Sequence, residues 1–140
     1  MAVFTTTIDY LILANHVEVA NGLLFISGAG WSELTRPSNQ PNPISNFGVG
    51  ISVCVPWGET NQPHDLTIRL VNEDETIVLI SVEAQLNMGR PATLSAGSDQ
   101  HAVVGIMFNT VFPAVGTYQV SAQIDKTGDK KHWAFQVRNV

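Results

Sequence analysis

Residues 116–125, Gly116-Thr117-Tyr118-Gln119-Val120-Ser121-Ala122-Gln123-Ile124-Asp125, alternate strictly between apolar and polar. Tyr118, Val120, Ala122 and Ile124 share one side, and Thr117, Gln119, Ser121 and Gln123 the other. A period of two is the side-chain period of a β-strand, so this segment predicts a strand with one face on a core and one in solvent. The pattern recurs. Phe47, Val49, Ile51, Val53 and Val55 alternate with Gly48, Gly50, Ser52 and Cys54, a strand with one large and one small face. Leu66, Ile68 and Leu70 alternate with Thr67, Arg69 and Val71. Val78, Ile80, Val82, Ala84 and Leu86 continue the apolar face, and residues 101–108 and 133–137 complete the set.

Turn chemistry separates these runs. Asn21-Gly22 lies between the apolar runs 10–14 and 23–26 and predicts a hairpin, since both residues tolerate positive φ. Gly28 and Gly30 within the second run indicate a bulge or a close backbone approach, with Trp31 packing over the gap. Three prolines in residues 36–43 make a loop that crosses between sheets. Asn72-Glu73-Asp74-Glu75 is a tight acidic turn, and 87–100 a long irregular loop. About eight strands with no amphipathic helix predict one all-β domain over residues 1–140. Its form is an antiparallel β-sandwich, jelly-roll or immunoglobulin-like.

Three stretches together resemble a family of small bacterial β-sandwich proteins of unknown function. They run from Ile8-Asp9-Tyr10 through Gly28-Ala29-Gly30-Trp31; from Val55-Pro56-Trp57 through His64-Asp65-Leu66 to Asn72-Glu73-Asp74; and from Phe112-Pro113 through Gly116-Thr117-Tyr118. The resemblance implies the fold and a bacterial origin, and it implies no activity. One position departs from the pattern: the acidic turn usually reads Asp-Gly, and here it is Asp74-Glu75.

Charge narrows the partners. Only 14% of residues are charged, against about 25% in an ordinary domain. Seven basic residues are scattered through a chain of net charge −5, so there is no patch for nucleic acid or an anionic membrane. A charge-poor surface with unguarded strand edges points to a homo-oligomer or a protein partner, with residues 3–7 a candidate edge strand. One cysteine, Cys54, excludes an internal disulfide and fits a cytoplasmic protein. Its sequence neighbours are apolar, which predicts an inert core thiol.

Chemistry is sparse. No nucleophile elbow or phosphate loop is present, no cofactor is implied, and the four histidines lie far apart, with His16 and Glu18 offering two metal ligands at most. The loop 57–65 is the sharpest candidate for ligand binding. Trp57, Glu59, His64 and Asp65 place an aromatic, carboxylates and a histidine together, with charge that is tunable near neutral pH. The leading expectation is therefore a non-catalytic binding or assembly module. The alternatives are a small enzyme or small-molecule binder at Trp57 and His64, and a phage or particle structural protein.

Overall fold

The computed structural model describes residues 5–140. The alternating segments form nine strands: β1 (Thr7–Ala20), β2 (Leu23–Ala29), β3 (Glu33–Arg36), β4 (Ser45–Val55), β5 (Pro63–Asn72), β6 (Val78–Asn87), β7 (Gln100–Thr110), β8 (Gly116–Ile124) and β9 (Lys130–Asn139). The one helical element among the described residues is a single 3₁₀ turn at Trp57–Glu59, and no helix is long and apolar enough to cross a membrane.

The strands make two sheets, ordered β2-β1-β4-β7 and β3-β9-β8-β5-β6. Pairing is antiparallel except between β3 and β9, which run parallel. Set β2 and β3 aside, and β1-β4-β7 facing β9-β8-β5-β6 is an immunoglobulin-like order whose fourth strand, β6, has moved to the edge of the second sheet, rather than a jelly roll. A tyrosine corner supports that assignment. The Tyr118 hydroxyl, near the start of β8, donates to the Ala114 carbonyl four residues upstream at 2.8 Å.

The large faces meet as the alternation requires. Phe47, Val49, Ile51, Val53 and Val55 on β4 and Leu66, Ile68, Leu70, Val120, Ala122 and Ile124 on the opposing sheet are buried in one core. At its centre Phe47 packs edge-on against Trp31, Phe108 and Phe135, at 5.9, 5.6 and 5.7 Å between ring centroids. Edge-on contact sets the positive ring edge against the negative face of its neighbour.

β3 is the strand beyond the eight expected. It is four residues long and pairs with a strand about a hundred positions away, so it leaves no local pattern. Trp31 does not cover Gly28 and Gly30 from outside. Both glycines have positive φ (68° and 91°), and the chain turns there toward the second sheet and carries Trp31 into the core. Of residues 3–7, 3 and 4 lie outside the described residues. Thr5 and Thr6 have no strand pairing, and Thr7 opens β1, where the strand pairs with β4 on one side only.

The small face of β4 is buried too, by a third layer. Residues 7–14 of β1 pair with β4, and residues 14–20 pair with β2. The Asn21-Gly22 turn has the predicted positive φ at both positions, 53° and 73°. This distal hairpin, the arm, folds back over the outer face of β4 and β7. The seam is glycine: a Cβ on Gly48, Gly50 or Gly105 would meet Val17, Leu24 and Val19 respectively at 2.9–3.1 Å. Small residues on this face let a backbone approach closely.

Candidate functional site

β4 ends at Val55, and the loop from Pro56 meets the start of β5 at one end of the sandwich. Trp57 lies in the 3₁₀ turn, with the Arg90 guanidinium 4.1 Å from its ring centroid. The same guanidinium donates to the Trp57 carbonyl at 2.7 Å and to the Thr60 hydroxyl at 2.6 Å. Glu59 accepts the Thr6 amide at 2.7 Å and stands 4.0 Å from the Lys126 ammonium. His64 is buried, 2% exposed, and its Nε2–H donates to the Glu59 carbonyl at 2.7 Å. Asp65 follows it on β5, so its side chain takes the opposite face, where it accepts from Gln85 at 3.0 Å. The fold thus gathers Trp57, Glu59 and His64 into one hydrogen-bonded knot and leaves Asp65 outside it.

A second grouping at the same end draws on residues far apart in sequence. Cys54 on β4 sits directly opposite Thr7 of β1 and His101 of β7. The β1–β4 ladder slips between Ile8 and Tyr10, which makes Asp9 the extra residue of a β-bulge. Because Ile8 and Leu11 both stay in the core, the bulge turns Asp9 as well as Tyr10 to the outer face, beside Cys54. Asp9 Oδ2 lies 2.6 Å from His101 Nδ1 and accepts the Ser52 hydroxyl at 2.8 Å. One ligand atom each from Asp9, Cys54 and His101 lies within 4.8 Å of the others.

Cys54 is buried and free, but its spatial neighbours are not the apolar ones its sequence suggests. Burial, then the negative charges of Asp99 and Asp9, push its thiol pKa above the usual value, and a hydrogen bond to Asp99 acts in the same direction. No spacing of residues 9, 54 and 101 announces this grouping. The one sequence signal is the apolar phase, which shifts from even at Ile8 to odd at Leu11 and Leu13 and marks the bulge.

The remaining feature is an edge. Every residue of β7 pairs with β4, without a bulge. Among the described residues, that ladder holds the only backbone hydrogen bonds of β7, so its other side is open.

No curated protein and no solved structure matches the chain. A family model described as a family of unknown function (DUF6941) matches residues 9–138, from the bulge of β1 to the end of β9. That is nearly the whole chain, and the protein belongs to this family.

Proposed function

We propose that the protein is a non-catalytic assembly module, bacterial and cytoplasmic, whose copies join edge to edge through β7. The observation that carries this reading is the unguarded edge. β7 is eleven residues long and contains no Lys, Arg, Asp, Glu or Pro. Sheet proteins blunt their edges with charges, prolines, bulges or short strands, because a row of free N–H and C=O groups templates another strand. The other edges carry such devices. The first half of β1, paired only with β4, carries Asp9 in a bulge; β2 has Gly28 in a left-handed conformation one residue before its end; β3 has four residues with Glu33 and Arg36; and β6 carries Glu83 and pairs through a bulge.

A second copy fits this edge best. Antiparallel pairing of β7 with its own two-fold mate is self-complementary and would join two four-stranded sheets into one of eight. The free thiol is in keeping with a reducing compartment.

Light scattering at micromolar concentration tests the reading. The wild-type protein gives the mass of a dimer or larger. Val103→Lys, which sets a charge midway along the edge on the half-buried outer face, gives a monomer with unchanged circular dichroism. A wild-type monomer mass refutes assembly, and undiminished assembly of Val103→Lys removes β7 as the seam.

A further inference from the structure

We propose that Asp9, Cys54 and His101 form a binding site for a zinc-class divalent cation, with solvent free to complete its shell. Three strands supply the three donors: the bulge of β1 brings Asp9, the centre of the sheet brings Cys54, and the edge strand brings His101. Their ligand atoms already lie within 4.8 Å of one another. A small contraction would bring all three around one ion.

The donor set selects the ion. A thiolate and an imidazole are too soft for magnesium or calcium, which take oxygen shells, whereas sulfur, nitrogen and carboxylate together suit tetrahedral zinc. The surroundings support it. Two carboxylates face the Cys54 thiol, a concentration of negative charge that a dication would neutralise. The Ser52 hydroxyl holds Asp9 Oδ2 in place, as outer partners hold metal-bound carboxylates. Binding converts the thiol to thiolate, and its proton leaves to solvent.

The setting of Cys54 argues against the competing use of these residues as a Cys–His–Asp nucleophile. A catalytic cysteine sits in an electropositive, partly exposed place that favours its thiolate. Here Cys54 is buried and has carboxylates, not cations, beside it.

The site would clamp the first half of β1 to β4 and β7 across a ladder that is interrupted by its bulge. His101 is exposed, its side chain at 61%, so an ion can enter without unfolding. Assembly through β7 and metal binding have separate readouts, mass and metal content, and either can fail alone.

The test is titration of the full chain, reduced and stripped of metal, with zinc against a chromophoric chelator, and with cobalt as a spectroscopic probe. The expected result is one zinc per chain with sub-micromolar affinity. The cobalt form shows a near-ultraviolet thiolate-to-cobalt charge-transfer band and the strong visible bands of four-coordination. His101→Ala, at an exposed position, loses at least tenfold in affinity with unchanged circular dichroism. Cys54→Ser loses the charge-transfer band. His132→Ala, at an exposed position on β9 in the other sheet, leaves both unchanged. No binding at a hundred micromolar zinc, or equal binding by wild type and His101→Ala, or loss on His132→Ala, overturns the proposal.

Discussion

Gly48→Ala measures how closely the arm sits on the sheet. A Cβ at this position would fall 2.9 Å from Val17 Cγ2, 2.9 Å from the Val17 backbone nitrogen and 3.0 Å from Met107 Sδ. Carbon contacts are optimal at about 3.5–4.0 Å, so each is short by more than half an ångström. A side chain can rotate away, but the Val17 nitrogen cannot, and it also donates to Met107 Sδ at 3.4 Å. The arm must lift. Overpacking of this kind costs about 1–3 kcal/mol, and the relief of removing a strand glycine returns roughly 0.5–1 kcal/mol. The net is about 1–2 kcal/mol. With about 2.1 cal/mol/K of unfolding entropy per residue over 140 residues, a loss of 2 kcal/mol lowers Tm by about 7 °C. Gly105→Ala is the control. Its nearest atoms, Val19 Cγ2 at 3.1 Å and Leu24 Cδ1 at 3.2 Å, are ends of side chains, so its Tm should move by no more than about 2 °C for a change within ~0.5 kcal/mol. Adding Val17→Ala to Gly48→Ala should recover only part of the loss, since the backbone contact stays. Calorimetry on the four proteins decides. Wild-type melting of Gly48→Ala, or an equal drop in Gly105→Ala, would refute a backbone pinned to this seam.

Glu75 holds φ at 60°, a left-handed conformation that glycine adopts without strain. Glu75→Gly should raise stability by about 0.5 kcal/mol, the left-handed strain relieved less the unfolded-chain entropy of glycine. Glu75→Val should lower it, and denaturant midpoints in the reverse order would contradict the strain. His64→Ala should cost about 2–4 kcal/mol, because it leaves a cavity and orphans the Glu59 carbonyl; a midpoint within 0.5 kcal/mol of wild type would show that the knot is dispensable. In the metal-free protein, the raised pKa of Cys54 makes its contribution to stability full below the ordinary thiol value and lost as pH rises past the folded one. Labelling of the native thiol should be slow at neutral pH and accelerate only in alkali, and fast neutral labelling would contradict the buried, acid-flanked setting. Asp74 shifts the other way. The Thr76 hydroxyl, followed by the Thr76 amide, holds its carboxyl below the usual range, so its effect is present at neutral pH and fades as pH falls through the lowered value. An NMR titration of Asp74 at or above the usual carboxylate value would refute the turn's hydrogen bonding.

Local periodicity made the strands legible, and non-local pairing hid the rest. Residues 47–55 and 116–124 announce which side chains enter the core, because a strand's faces follow from its own sequence. The Asn21-Gly22 turn is equally local. β3 exists only because β9 lies beside it, and four residues carry no periodicity of their own. Trp31 goes inward because Gly30 turns the chain, a backbone event that its neighbours do not encode. For the loop 57–65, residue types suggested a site, but Arg90 and Thr6, which engage Trp57 and Glu59, come from other segments. Cys54 shows the limit most sharply. Its flanking valines describe the faces of β4, while its chemistry comes from positions 9, 99 and 101, joined to it by register alone.

The double allegiance of β1 has a consequence in time. Its second half closes on β2 through a two-residue turn, and such a hairpin forms in about 1–10 μs. Its first half must wait for β4, some forty positions on, in a topology whose long-range pairing folds in milliseconds to seconds. The same division should persist in the native state. Amides of residues 16–27 have only the hairpin ladder and the seam to hold them, and they can exchange through a local opening that leaves the sandwich closed. Amides of β4, inside both the core and the third layer, exchange only when the whole fold comes apart. One continuous strand would then show two protection levels, with the step between them near Ala14, where its partner changes from β4 to β2.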